Sequence, residues 1–134
     1  MVVWPTPEFL DLTLVLNIHT RQIEKFGGTD GIRDEGLLES ALAQPQVTFG
    51  GQLLHPSIPA QAAAYLYHLA MNHPFIDGNK RTAFAVMDTF LRVNGYVLTL
   101  SNEKAYYLVM QVVQKQISKS ELILELEKKI EKLN

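Results

Sequence analysis

Ser57-Ile58-Pro59-Ala60-Gln61-Ala62-Ala63-Ala64-Tyr65-Leu66-Tyr67-His68-Leu69-Ala70-Met71-Asn72 runs straight into His73-Pro74-Phe75-Ile76-Asp77-Gly78-Asn79-Lys80-Arg81-Thr82. Ser57 is a helix N-cap, and Pro59 falls in the first turn, where a missing N–H costs nothing. The alanines and aromatics that follow predict a central helix to about Asn72, buried on several sides because small residues pack closely. His73-Pro74 ends it, since the residue before a proline is driven out of the α region. A second long helix follows from about Asn79 to Val93, closed by Asn94-Gly95 as a left-handed cap. The run from His73 to Thr82 therefore occupies one turn and the start of a helix, between the two most buried helices.

Upstream, Thr6-Pro7-Glu8 reads as a cap, a first-turn proline and an acid near the positive helix end. Phe9, Leu12, Leu16, Ile23 and Phe26 recur behind it at helical spacing until Gly27-Gly28 stops the helix. Thr29 to Arg33 is a loop. Asp34 then caps a short helix, Glu35 to Gln44, whose buried stripe is Leu37, Leu38, Ala41 and Leu42. Val47 to Pro56, with Phe49-Gly50-Gly51, has no helical period and reads as an exposed loop or flap. Downstream, Val97 to Leu100 is short, a strand fragment or merely extended. Ser101 opens a helix with Tyr106, Tyr107, Leu108 and Val112. A Ser118-x-x-Glu121 capping box opens the last one, carrying Leu122, Leu126, Ile130 and Leu133. The expected fold is all-α: a compact single-domain bundle of about six helices spanning residues 1–134, with the His73–Thr82 loop at the N-terminus of a central helix.

The chemistry is concentrated in that loop. The first N–H groups of a helix lack internal partners, and with the positive dipole end they form a phosphate cradle at Gly78 and Asn79. Gly78 lets a phosphate approach with no Cβ in the way. Lys80 and Arg81 lie in the first turn, where cations are disfavoured unless an anion compensates them; Arg81 can grip phosphate oxygens in pairs and Lys80 acts as a point charge. Asp77 is the natural ligand for a magnesium ion bridging phosphate oxygens. His73 can take a proton from an incoming hydroxyl. Phe75 and Ile76 are expected to point into the core and fix the loop. Phosphoryl or nucleotidyl transfer needs mainly positioning and charge stabilisation, so these parts suffice in kind. Any three of these residues alone could be a plain turn, with Asp-Gly as its tip. The whole run between two apolar helices argues for a site.

Composition narrows the remaining classes. The 134 residues carry 47% hydrophobic and 19% charged side chains and a net charge of -2, with no basic block for nucleic acid or an anionic membrane. Cysteine is absent, which removes disulfides, thiolate catalysis and cysteine-based zinc sites. Met1 to Pro5 offers neither the basic start nor the apolar core of a secretion signal. The expectation is a cytoplasmic protein with no direct nucleic-acid or membrane partner.

The loop resembles the signature of the Fic/Doc superfamily, approximately His-x-Phe-x-Asp/Glu-Gly/Ala-Asn-x-Arg, and its Asn79-Lys80-Arg81-Thr82 is similar to the death-on-curing (Doc) branch of toxins. Phe26-Gly27-Gly28, the segment from Arg33 to Ala41, Phe49-Gly50-Gly51 and Asn94-Gly95-Tyr96 fall where that branch has similar segments. The resemblance implies a compact helical bundle with His73 as the base, Asp77 as the magnesium ligand, and Asn79, Lys80 and Arg81 binding phosphate. Typical Fic enzymes move AMP from ATP to a protein hydroxyl. They carry a glycine after the motif asparagine and a second arginine three residues beyond the first. Lys80 and Phe84 stand at those positions here, as in the Doc branch, which moves the terminal phosphate of ATP to a threonine of the elongation factor that delivers aminoacyl-tRNA. Gly78 departs the other way, standing where the Doc toxin has alanine. The inhibitory Ser/Thr-x-x-x-Glu-Gly/Asn helix of many Fic proteins has no match, since Gly31 stands four residues before Glu35-Gly36. The resemblance therefore implies a separate antitoxin covering the cleft. An AMP transferase and a non-catalytic nucleotide- or partner-binding module are the competing readings.

Other candidates carry less. His19 reads as a core-edge or surface histidine, and His55 as a loop residue that could face a substrate. His68 and His73 project about 140° apart on a helix, with no third ligand for zinc. The tyrosines read as core-edge residues, and Arg33 as a surface residue or a phosphate contact. Glu121 to Lys132 reads as a solvated helix face with i,i+4 pairs. Phe49-Gly50-Gly51 reads as a connector or a flap that docks a peptide as an added strand.

Overall fold

Every residue from Ile58 to Leu66 is buried, which is unusual for one helix and explains its alanines. Ala62, Ala63 and Ala64 have no exposed surface, so neighbouring helices approach on several sides. The computed structural model describes residues 6–133, and the leader reading of Met1 to Pro5 lies outside them. Six α-helices are described: α1 (Leu12–Phe26), α2 (Glu35–Ala43), α3 (Ile58–Asn72), α4 (Asn79–Val93), α5 (Asn102–Val113) and α6 (Lys119–Lys129). α3 packs most extensively on α4 and also touches α2, α5 and α6. This is the expected compact, mostly helical bundle, with two small two-stranded sheets added. No helix among the described residues is long and apolar enough to cross a membrane.

The cap signals work where local chemistry is unopposed. Ser57 Oγ accepts from the Ala60 N–H and Asp34 from the Leu37 N–H. Ser101 accepts from the Lys104 N–H, and the Ser118–Glu121 capping box is complete. The first helix is the exception. It starts at Leu12 with Asp11 as its cap, not at Thr6. Tertiary bonds hold the preceding segment extended: Glu8 exchanges two main-chain bonds with the Asn94 side chain, and the Leu10 N–H donates to the Tyr65 hydroxyl. Tyr65 is thereby a core residue, not a core-edge one; burial pushes its pKa up to about 12.

The last helix also differs. It ends at Lys129, and Ile130–Lys132 (β4) pairs antiparallel with Tyr96–Leu98 (β3). Both the Thr99 N–H and its hydroxyl donate to the Lys129 carbonyl, satisfying a group the helix end leaves unpaired. Ile130 packs against the core either way, so the apolar spacing could not separate helix from strand. The Val47 to Pro56 loop contains a hairpin, Thr48–Phe49 (β1) with Gln52–Leu53 (β2). Gly50 and Gly51 link the strands with φ of 60° and 80°, as tight hairpins need. Phe49 stands 82% exposed at its end.

His55, expected to face outward, is buried beside Lys119 and His68, and Lys119 Nζ lies 2.9 Å from His68 Nε2. Burial first, and then the Lys119 charge, lowers both histidines, His68 from 6.5 to about 4. Below pH 6.5 the unfolded chain binds protons that the fold refuses. The part of the stability that these histidines carry is therefore expected to fall as pH drops from 6.5 towards 4. Urea midpoints across that range test it, and His68→Gln should flatten the fall.

Candidate active site

The turn between α3 and α4 is held in a costly shape. His73 has φ 51° and ψ 52°, left-handed values rare for a residue with a Cβ. Such strain persists where surrounding bonds over-determine it. Arg33 supplies two of them: its Nε donates to the His73 carbonyl at 2.7 Å and its Nη2 to the Asn72 carbonyl at 2.9 Å. The guanidinium thus closes the C-terminus of α3, a role its sequence context did not suggest. Phe75 is buried and forms a β-bridge with Ile32. Side chains alternate along such a segment, so Ile76, expected in the core, points outward and is 52% exposed.

Asn79 ties the turn to the next helix. Its Oδ1 accepts from the Phe75 N–H at 2.8 Å and its Nδ2 donates to the Phe75 carbonyl at 2.9 Å. These two bonds fix which way the amide faces. The same Nδ2 lies 3.1 Å from His73 Nδ1 and must be the donor there. A neutral His73 held this way carries its proton on Nε2. The Asn79 side chain is spent inside the loop, so the group it offers a ligand is its main-chain N–H at the start of α4.

A strap from Gly27 to Asp34 holds the loop from below. The Arg33 and Asp34 N–H groups donate to the Pro74 carbonyl, and the Ile76 N–H to the Gly31 carbonyl. Two strap glycines leave room that a side chain would fill. A Cβ on Gly28 would lie 2.7 Å from Asp77 Oδ2, and one on Gly31 would lie 2.7 Å from Ile76 Cδ1. Asp77 Oδ1 accepts from the Gly78 N–H at 2.8 Å and Oδ2 from the Thr29 N–H at 3.3 Å. Those two N–H groups, Gly78 first, hold the Asp77 carboxyl below the usual carboxylate range, with lesser help from Arg81 and His19. His19, set aside on sequence, is buried under the loop with a ring nitrogen 2.8 Å from the Asp77 carbonyl.

The loop opens on a cleft of about 860 Å³ bounded by α1, α4 and α5, within the size range of small-molecule sites. His73, Asp77, Gly78, Asn79, Lys80 and Arg81 all line it, so every residue expected at the site meets there. α4 is the one described α-helix without a side-chain cap: Gly78 occupies that position with φ 74°. Its first N–H groups therefore face the cleft side of the loop with no side-chain oxygen among them. Arg81 reaches the Gly27 carbonyl at 3.0 Å and lies over the Phe26 ring. Neither Lys80 nor Arg81 forms a salt bridge among the described residues. The geometry is a carboxylate, a row of N–H donors and two cations around one space, with an imidazole at its edge.

The donor set suits a hard divalent cation. Magnesium takes one or two carboxylates and fills its shell with waters and phosphate oxygens, and Asp77 is an ionised carboxylate already aimed by two N–H groups. The described residues hold no cluster of three or more His, Cys, Asp or Glu side chains able to cage an ion. An ion here would be shared with a bound phosphate.

The Fic/DOC family model matches residues 9–91, which include α1, the strap, the turn and most of α4. The chain belongs to the Fic/DOC family. Within it, the chain is 47% identical over 91 residues to Toxin Doc of Mycolicibacterium smegmatis, covering 68% of each protein. It is 32% identical over 91 residues to Protein kinase doc of Escherichia phage P1, covering 68% of this chain and 71% of that one. The loop built above, the strap beneath it and His19 on α1 all lie inside the matched region.

Proposed function

We propose that this Fic/DOC protein is a Doc-type toxin that moves the terminal phosphate of ATP to a serine or threonine hydroxyl on an elongation-factor-like translation protein in the cytoplasm. The observation that carries the reading is the convergence of His73, Asp77, Lys80, Arg81 and the uncapped start of α4 on one cleft. The names of the two relatives, a toxin and a protein kinase, point the same way. The phosphates would lie on the N–H groups of Asn79 and Lys80, with Gly78 leaving room for their approach, Arg81 gripping oxygens and Lys80 adding charge. Asp77 would hold magnesium, which supplies charge neutralisation at the phosphates. The hydroxyl oxygen bonds to the terminal phosphorus, the bond from that phosphorus to the ADP oxygen breaks, and His73 receives the hydroxyl proton. That role needs Nε2 unprotonated, so the Asn79–His73 bond must give way as the hydroxyl arrives.

The same cleft suits a covering partner. Phe26 and Tyr106 stand 56% and 68% exposed on its rim, with Phe84 and Met110 behind them. A separate antitoxin presenting an apolar helix face would fill this surface and block the phosphate site.

The test uses purified protein, magnesium and a translation-competent lysate, with ATP labelled at the γ- or the α-phosphate. Label from γ alone, lost in a His73 variant, is the expected result. Label from α would make the protein an AMP transferase despite Lys80 and Phe84. Label from neither, with ATP still bound, would replace the enzyme by a binding module.

A further inference from the structure

His19 lies beneath the motif loop, outside the residues that line the cleft. It is 2% exposed and stacks on Phe75, ring centres 3.9 Å apart and planes within 7°. Its Nε2 is 2.8 Å from the Asp77 carbonyl oxygen, and its Nδ1 is 3.3 Å from Asp30 Oδ1. A carbonyl only accepts, so Nε2 is the donor to Asp77, and the Asp30 carboxylate lies beside Nδ1. Burying an imidazole with both nitrogens committed costs desolvation, and filling space beneath Phe75 would need only an apolar ring.

What the ring holds is one rigid peptide plane. The peptide between Asp77 and Gly78 has its oxygen on His19, while its N–H is the group that aims Asp77 Oδ1 into the site. Gly78, with φ 74°, supplies no steric restraint on that plane. If the plane turned, its N–H would leave the carboxylate. Asp30 in turn fixes the ring, and its own Oδ1 accepts from the Gly31 N–H, which anchors it to the strap.

We infer that His19, oriented by Asp30, is a positioning residue that sets how tightly Asp77 holds a divalent cation with nucleotide. The inference rests on the proposed metal role of Asp77 and deepens it. Partners that orient a metal ligand typically change affinity about 10–100-fold when removed.

The experiment measures Mn²⁺ binding by electron paramagnetic resonance, with a non-hydrolysable ATP analogue present. The variants are His19→Ala, His19→Gln, Asp30→Asn and Asp77→Ala, each with its thermal midpoint. The expected result is about 10-fold or more weaker Mn²⁺ binding in His19→Ala. His19→Gln should recover much of it, since its amide can donate to the Asp77 carbonyl. Asp30 is 58% exposed, so Asp30→Asn should keep the midpoint while weakening Mn²⁺ binding. Where transfer is measured, the effect should fall on metal affinity more than on kcat. Should His19→Ala fail to fold, Asp30→Asn and His19→Gln decide the matter. Wild-type Mn²⁺ affinity in the folded His19 and Asp30 variants would overturn the positioning role and leave Asp77 as a ligand. Wild-type affinity in Asp77→Ala would overturn the metal role itself, and this inference with it.

Discussion

His73→Asn is expected to lower phosphate transfer by about 10²–10⁴-fold, the usual worth of a positioned proton acceptor, while leaving the fold intact. Asparagine is chosen for the backbone, since it tolerates the left-handed conformation that His73 adopts with φ 51°. The His73 ring is exposed, and its one described side-chain bond is to Asn79, so little packing is lost. The Arg33 bond to the His73 carbonyl is a main-chain contact and survives the change. An unchanged thermal midpoint with transfer gone would place His73 in the chemistry. Transfer at the wild-type rate would remove it from the reaction and leave the strained turn without its purpose.

Asn79→Ala should be costly for a different reason. Phe75 is buried, and its N–H and carbonyl both rely on the Asn79 amide. Leaving a buried donor or acceptor unpaired costs about 1–3 kcal/mol each, so a loss of about 2–6 kcal/mol is expected in urea unfolding. Transfer should fall as well, because the loop that presents His73 and Asp77 loses the two bonds that shape it. Asn79→Asp is the informative companion. It keeps an acceptor for the Phe75 N–H but turns an oxygen towards the Phe75 carbonyl, so it should not rescue the fold. A loss below about 0.5 kcal/mol in Asn79→Ala, the range of ordinary surface changes, would show that the amide does not hold the loop.

These two residues also show how unevenly the site could be read. His73, Asp77, Gly78, Lys80 and Arg81 are legible because they lie within nine consecutive positions at a helix start, where adjacency in the chain ensures adjacency in space. Asn79 is legible as a member of the motif but not in its use. That its side chain faces inward depends on where the Phe75 backbone lies. His19 carries no local signal. It is 58 residues from Asp77 in the chain, and only the packing of α1 under the loop brings them together. Gly28 was legible as part of a helix stop and Gly31 as part of a loop, yet what each accommodates, Asp77 at Gly28 and Ile76 at Gly31, is a contact between distant segments. The Gly50-Gly51 hairpin had a readable turn signal that the lack of helical period masked.

The sequence by itself determined the number of helices, most of their caps and the breaks between them, because periodicity, caps and Pro/Gly stops act over a few residues. It also determined that the candidate site residues from His73 to Arg81 share one loop. Tertiary structure decided the rest. The Asn94 side chain and the Tyr65 hydroxyl hold residues 8 and 10 extended and delay α1 to Leu12. Pairing with β3 turned Ile130 to Lys132 from helix to strand. Arg33 became a clamp on α3, and His19 became a support for Asp77. In each case a hydrogen bond across the fold satisfied a backbone group that a local pattern would have left to its own segment, and a buried polar group must be paired wherever its partner lies.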